Sequence, residues 1–274
     1  MRAALRTEYR KLVTTRLWWV LLATMAAYMA FLGAILAFPL TLEGGGGITT
    51  GLPSDGAAAP ALGDLDIALA VYTLAPALGY VFPVVVGALS VTGEFRHMTI
   101  TPTLLAEPRR GVVVGAKLLA SVPVGILFGL VGTLAATAAG ATVLAVTGND
   151  PLLGDPEVLT TLARSVLALT VWTVVGVGFG TVLTNQVAAI VVLLAFTQFV
   201  EPMVRIFLGA VEWGAGIARW MPGAAGESIA GSSFYSATGL AELLPWWQGL
   251  LVLVGYGLVL AAVGRLTTFR RDIT

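Results

Sequence analysis

Five stretches of the chain run for about twenty residues or longer almost without charge, the length an α-helix needs to cross a hydrocarbon layer about 30 Å thick. They cover Leu17 to about Leu40, about Ile67 to Val91, Leu118 to Val146, about Leu159 to Leu183 and about Trp247 to Leu266. Pro76 and Pro83 interrupt the second, which membrane helices tolerate better than soluble ones. The third is longer than a crossing requires and is expected to tilt or to project beyond the bilayer. A sixth run begins at Val187 but meets Glu201-Pro202 after Val200, so it is too short to cross simply. With it the pattern predicts an all-α, polytopic membrane protein of six transmembrane helices in a single domain, residues 1–274, with both termini on one side.

Between the runs the pattern changes character. In residues 1–16, Leu5, Tyr9, Leu12 and Val13 fall on one helical side and Arg6, Arg10 and Thr14 on another, with Trp18-Trp19 following where an aromatic belt belongs. This predicts an amphipathic helix on the inner membrane surface; the plainer alternative is a basic flank that only fixes topology. Thr41 to Gly63, with four successive glycines and two prolines, has no periodicity and reads as a flexible outer loop. Residues 201–246 are moderately apolar, rich in Gly and Trp and broken by Pro202, Pro222 and Pro245. They predict re-entrant half-helices dipping into the outer leaflet, with Trp213, Trp220, Trp246 and Trp247 marking the interface. Gly111/Gly115, Gly125/Gly129 and Gly176/Gly180 are spaced to let helices approach closely.

Composition agrees with this reading: 57% of the 274 residues are hydrophobic and 11% charged, where a soluble domain carries roughly 25%. Fifteen Lys and Arg balance fifteen Asp and Glu, leaving no net charge to attract nucleic acid. The charges are nevertheless sorted. Twelve cations lie in the N-terminal segment, in the connection after the second run or at the C-terminal end, whereas only Arg164, Arg205 and Arg219 fall on the opposite side, together with eleven of the acids. Lys and Arg accumulate in cytoplasmic loops, so both termini are predicted cytoplasmic. The polar, basic start predicts no removable signal peptide, so the first apolar run stays in the mature protein.

Candidate chemistry narrows the function classes further. There is no cysteine and one histidine, His97, so thiolate and histidine metal sites and Cys nucleophiles are not expected. Neither lysine, Lys11 or Lys117, closes a phosphate loop, and no hydrolase motif occurs, so the chain is not expected to be an enzyme by itself. Charged residues at Lys117, Arg164, Glu201 and Arg205 all sit near predicted span ends, which disfavours an ion-coupled carrier. Glu201 and Arg205, one turn apart, predict either a structural ion pair or a gating pair. The connection of residues 93–110 mixes charges with Phe95, Met98, Ile100, Leu104 and Leu105, which need covering by helix ends or by a separate protein.

Glu8-Tyr9-Arg10-Lys11-Leu12 with Thr14-Thr15-Arg16 before a Trp pair resembles the opening of the permease subunit of bacterial ABC type-2 exporters. Gly93-Glu94-Phe95-Arg96-His97-Met98-Thr99-Ile100, the stretch Thr103 to Arg110, Lys117, Phe199-Val200-Glu201-Pro202, Met221-Pro222-Gly223 and the ending Phe269-Arg270-Arg271-Asp272-Ile273 resemble it too, in order and over essentially the whole chain. Met221 stands where a leucine is more usual. The resemblance implies a dimer of identical or homologous permease subunits in a bacterial plasma (inner) membrane, carrying two separate ATP-binding cassette ATPase subunits that bind ATP and Mg; this chain would hold no cofactor. It places coupling to the ATPase on Glu94, Phe95, Arg96, His97 and Thr99, and onward on Leu104, Leu105, Glu107 and Arg109. It places an outer gate at Glu201, Pro202 and Arg205, and implies no catalytic residue and no metal.

The reading that follows is a permease for outward transport, or efflux, of an amphipathic or apolar substrate, since the spans offer no charged pocket. The alternatives are a type-2-like membrane subunit of a sensor or immunity module, and an ion-coupled carrier.

Overall fold

The fourth apolar run forms the axis of the molecule. In the computed structural model, which describes residues 2–42, 63–209, 211, 213–232 and 243–269, helix α7 (Pro156–Val182) packs against α4 (Val81–Arg96), α6 (Arg110–Val146), α11 (Pro222–Ala230) and α12 (Trp246–Thr267). Its start is written in the sequence: Asp155 accepts a hydrogen bond from the N–H of Glu157 at 2.7 Å, and Pro156 occupies the first helical position. Helix α2 (Leu17–Leu42) lies along α6, and α1 (Arg2–Thr14) precedes it after a short break. The described residues contain helices and turns but no strand, and six helical segments are long and apolar enough to cross a membrane.

Helices approach closely at two of the three predicted glycine pairs; at Gly111 a methyl group would meet only the Arg265 side chain. A methyl group on Gly125 or Gly129 of α6 would strike the Thr170 or Val166 backbone of α7, and one on Gly176 or Gly180 would strike Val84 or Ala88 of α4. Glycine on these faces lets backbones touch, so van der Waals contact operates where lipid gives no hydrophobic drive. The second and fourth spans are mostly buried, whereas α2 and α12 leave Phe31, Ile35, Phe38, Leu251, Leu258 and Val259 exposed, an apolar rim fit for lipid.

Two prolines are absorbed by π-turns. The second span runs from Asp64 to Arg96: α3 (Asp64–Tyr72), a π-turn at Ala75–Gly79 containing Pro76, then α4. In the fifth span, α8 (Gln186–Ala195) passes through a second π-turn, Phe196–Val200, directly into α9 (Glu201–Gly209). The expectation that Glu201-Pro202 ends this span is therefore corrected: it continues to Gly209, long enough to cross. A proline removes one backbone donor and crowds the carbonyl four residues back, here that of Gln198, and the wider π-turn gives that carbonyl room. The segment predicted to begin at Glu201 accordingly begins after Gly209.

That segment folds back. After α10 (Ala215–Ala218), α11 rises alongside α9: Glu201 meets Gly223 and Arg205 meets Glu227, a constant offset of 22 residues, which requires parallel helices. The side of α12 fixes the depth, since the Tyr256 hydroxyl donates to the Trp220 carbonyl. Ten residues separate Tyr256 from the start of α12, so α11 begins about 15 Å below that end of the bundle. Gly231, at φ 88°, closes α11 in the left-handed conformation.

The charge sorting seen along the sequence is also a sorting in space. One end gathers α1, the last turn of α4, α5 (Ile100–Ala106), the start of α6 and the end of α12; the other holds Asp64, Asp66, Asp150, Asp155 and Glu157. These are called below the basic and the acidic end. The glycine-rich loop, Glu212, Glu242 and the tail from Arg270 lie outside the described residues.

Candidate functional site

At the basic end the only two lysines of the chain meet two glutamates in a closed ring. Lys117 is 2% exposed, and its Nζ lies 2.6 Å from Glu8 Oε2 and 2.8 Å from Glu94 Oε1. Lys11 Nζ lies 2.8 Å from Glu8 Oε1 and 2.7 Å from Glu94 Oε1. The remaining ammonium donors go to the Ser90 carbonyl from Lys117, at 3.2 Å, and to the Thr103 hydroxyl from Lys11, at 3.0 Å. Two cations and two anions cancel, so the ring can be buried without net charge. It joins α1, α4, α5 and α6, elements up to 109 residues apart in sequence.

Burial alone would lower the Lys11 ammonium, but its hydrogen bonds to Glu8 and Glu94 and their negative charges more than offset this and hold it above its ordinary value of about 10.5. A raised lysine contributes stability below its unfolded value and loses it as pH rises through the folded one. The protection of α1 amides, relative to their base-catalysed intrinsic exchange, should therefore stay unchanged through the mildly alkaline range and fall only above about 10.5. Loosening of α1 near neutral pH would show that Lys11 does not anchor it.

Beyond the ring, residues 93–110 divide into an inner and an outer face. Glu94 belongs to the ring, while Phe95 and Leu104 pack with Val91, Ile100 and Val114 around the fully buried Phe269, whose ring meets Phe95 edge-on at 5.9 Å. The Arg110 guanidinium donates to the Phe269 carbonyl. Three of the residues predicted to couple to a partner are thus engaged within the chain. The others face out: Arg96, which donates to Gln186 at 3.2 Å, His97, Thr99, Leu105 at 77% exposed and Arg109. Met98, in left-handed conformation at φ 55°, is 75% exposed. Glu107 accepts a forked pair of hydrogen bonds from Arg109, 2.8 and 3.1 Å long, which holds its carboxyl below the usual range. The result is a turn and a short helix, each with one bare apolar side chain, inside a rim of charge.

A cleft of about 530 Å³ opens beside the ring, between the α1–α2 elbow and α4, lined by Arg16, Trp18, Leu21, Leu89 and His97 among others. Its volume falls in the range of small-molecule sites.

Deeper in the bundle, toward the acidic end, the two π-turns face each other. Tyr80, just after the first, donates its hydroxyl to the Thr197 carbonyl in the second at 3.0 Å and stacks on Trp172 at 4.4 Å. A cavity of about 150 Å³ lies between the turns, and all three predicted gate residues, Glu201, Pro202 and Arg205, line it with Tyr80, Gln198 and Glu227. The Arg205 guanidinium grips Glu227 through two bonds of 2.6 and 3.0 Å. The helical neighbour Glu201 instead takes the N–H of Gly223 at the start of α11. Sequence spacing pointed to a Glu201–Arg205 pair; the bidentate partner is Glu227, brought there by the returning helix.

Comparison with known proteins adds no constraint, since no family model and no curated protein matches the chain.

Proposed function

We propose that the chain is the permease subunit of an ATP-driven exporter of the ABC type-2 class, working as a pair with a second permease subunit and with two separate ATPase subunits at its basic end. The observation that carries this reading is the outward face of residues 96–109: Met98, in the turn before α5, and Leu105, on α5, stand bare on a segment whose inner face is locked into the bundle by the Glu8–Lys11–Glu94–Lys117 ring and by Phe269. Exposed apolar anchors inside a charged rim are what a docking contact between two proteins needs. Because the ring joins α5 to α1, α4 and α6, a push on the docking helix moves those elements together. ATP binding in the partner subunits closes them and levers the bundle between inward- and outward-facing states.

In this reading the basic end is cytoplasmic, α1 lies on the inner membrane surface, and α10 and α11 form a re-entrant hairpin in the outer leaflet that closes the pathway. The cargo is amphipathic or apolar. Co-expression with ATP-binding cassette subunits from the same organism should yield a complex with two ATPases for every two permease chains after solubilisation. Elution of this chain without them, under conditions where both fold, excludes the reading.

Orientation has its own check, because the chain has no native cysteine. A cysteine at Gly154, where added side-chain atoms meet nothing, should react with a membrane-impermeant thiol reagent on intact cells. One at the exposed Thr101 should react only after the membrane is opened. The reverse pattern would invert the assignment of the two ends.

A second reading, an ion-coupled carrier, gains from one observation. Glu201, Arg205 and Glu227 are brought together inside the span-five region rather than at a span end. Buried ionisable groups within a membrane protein commonly mark ion or proton paths.

A further inference from the structure

We propose that the cavity between the two π-turns is a binding site for a compact monocation, either an alkali ion or the ammonium head of an amine.

Charge comes first. Glu201 and Glu227, 1% and 2% exposed, have one guanidinium, Arg205, between them, so with both carboxylates ionised the cluster carries one uncompensated negative charge. An isolated buried carboxylate is costly unless paired or neutralised. One oxygen of Glu201 is satisfied by the Gly223 N–H, with the Ala224 N–H also close to the carboxylate, whereas the other, Oε2, is buried and accepts no hydrogen bond of normal geometry, and the residue lines the cavity. Such an orphaned acceptor beside an empty volume is the place where a cation compensates both the charge and the missing bond.

The lining sets the kind of cation. Tyr80 has its hydroxyl hydrogen committed to Thr197, which leaves the phenolic oxygen free to accept, and Gln198 contributes an amide oxygen. With the Glu201 carboxylate these are hard oxygen donors, suited to an alkali ion or an N–H donor and not to a soft metal. No cluster of three or more metal-ligating side chains occurs among the described residues, and a single net negative charge favours a monovalent over a divalent ion. A volume of about 150 Å³ equals roughly five waters at about 30 Å³ each, room for a small ion or a methylammonium-sized group but too little for a drug-sized molecule.

Position gives the site a use. It touches both π-turns and, at Glu227, α11, so an occupant holds the second span, the fifth span and the returning helix together. π-turns within α-helices recur at functional sites. Protons compete for the same carboxylate: Glu201 is faced by Tyr80 beside α4, Arg205 on α9, Glu227 on α11 and Tyr256 on α12, and protonation of Glu201 removes the charge that holds the cation.

The test needs neither ATP nor a partner, so its outcome is separate from that of the exporter reading. The purified chain in detergent is melted in chloride salts of K⁺, Na⁺ or methylammonium against N-methyl-D-glucamine, whose bulk exceeds the cavity, at constant ionic strength. The midpoint should rise with the logarithm of at least one small cation's concentration, as binding to the folded state requires, and the rise should vanish on acidification. Potassium or sodium alone identifies an alkali-ion site, and methylammonium alone an amine-head site. Glu201→Gln should abolish the dependence. Should that variant not fold, Tyr80→Phe must weaken it. Equal midpoints in all salts, or a dependence that survives Glu201→Gln, overturn the proposal, as does an infrared carboxylic-acid band from Glu201 at neutral pH that no cation removes.

Discussion

Lys117→Met should be the most damaging single substitution at the basic end, lowering stability by about 3–5 kcal/mol. The reason is the ring. Without Lys117, Glu8 and Glu94, both almost fully buried, must share the half-exposed Lys11, and one buried carboxylate is left uncompensated. Thermal melting of the purified chain reads the loss, and proteolysis of α1 should begin first because Glu8 is its inward-facing anchor. Combining Lys117→Met with Glu94→Gln restores neutrality and should recover part of the loss, a coupling that a double-mutant cycle isolates. Arg96→Glu, at an exposed position, should change melting far less. A Lys117→Met protein as stable as the parent would mean that the four groups do not act as a unit.

Met98→Asp with Leu105→Asp should release the proposed ATPase partners while leaving the fold intact. Both side chains are among the most exposed apolar groups outside the spans, so little internal contact is lost. Removing one central anchor of an interface costs at least about 2 kcal/mol of binding, which is roughly 30-fold in affinity. The control is Leu104→Asp, which faces Phe269 and Ile100 and should instead destabilise the chain itself. Unchanged co-purification in the double variant, with normal melting, would remove residues 96–109 from the docking contact.

The spans were legible because a hydrocarbon crossing needs a long apolar run, a requirement that short-range sequence meets by itself; bounds shifted by only a few residues in most of them. The fifth span failed for a physical reason. Pro202 reads as a stop, but a preceding π-turn cancels its steric effect, and that turn has no plain signature in Phe196-Thr197-Gln198-Phe199-Val200. The Glu201–Arg205 spacing suggested a local pair because helix neighbours are visible in sequence and a returning helix is not. The lysine ring was half-visible. Lys117 lies in the apolar setting Gly115-Ala116-Lys117-Leu118-Leu119, where an ammonium demands a partner. Nothing local named Glu8 as that partner, since 109 residues separate them. Within residues 93–110, composition showed that apolar groups needed cover but not which ones the chain covers itself. Phe269 decides that, by taking Phe95 and Leu104 and leaving Met98 and Leu105 bare.

Hydrolysis of ATP by the partner subunits, measured alone, with this chain in lipid, and with the Met98→Asp/Leu105→Asp chain, addresses the coupling mechanism without any knowledge of the cargo. The parent chain should bind the subunits and change their hydrolysis rate severalfold, and the double variant should return it to that of the subunits alone. A rate indifferent to the parent chain, in a preparation where all subunits are folded, would rule out the proposed ATP-driven coupling through this chain.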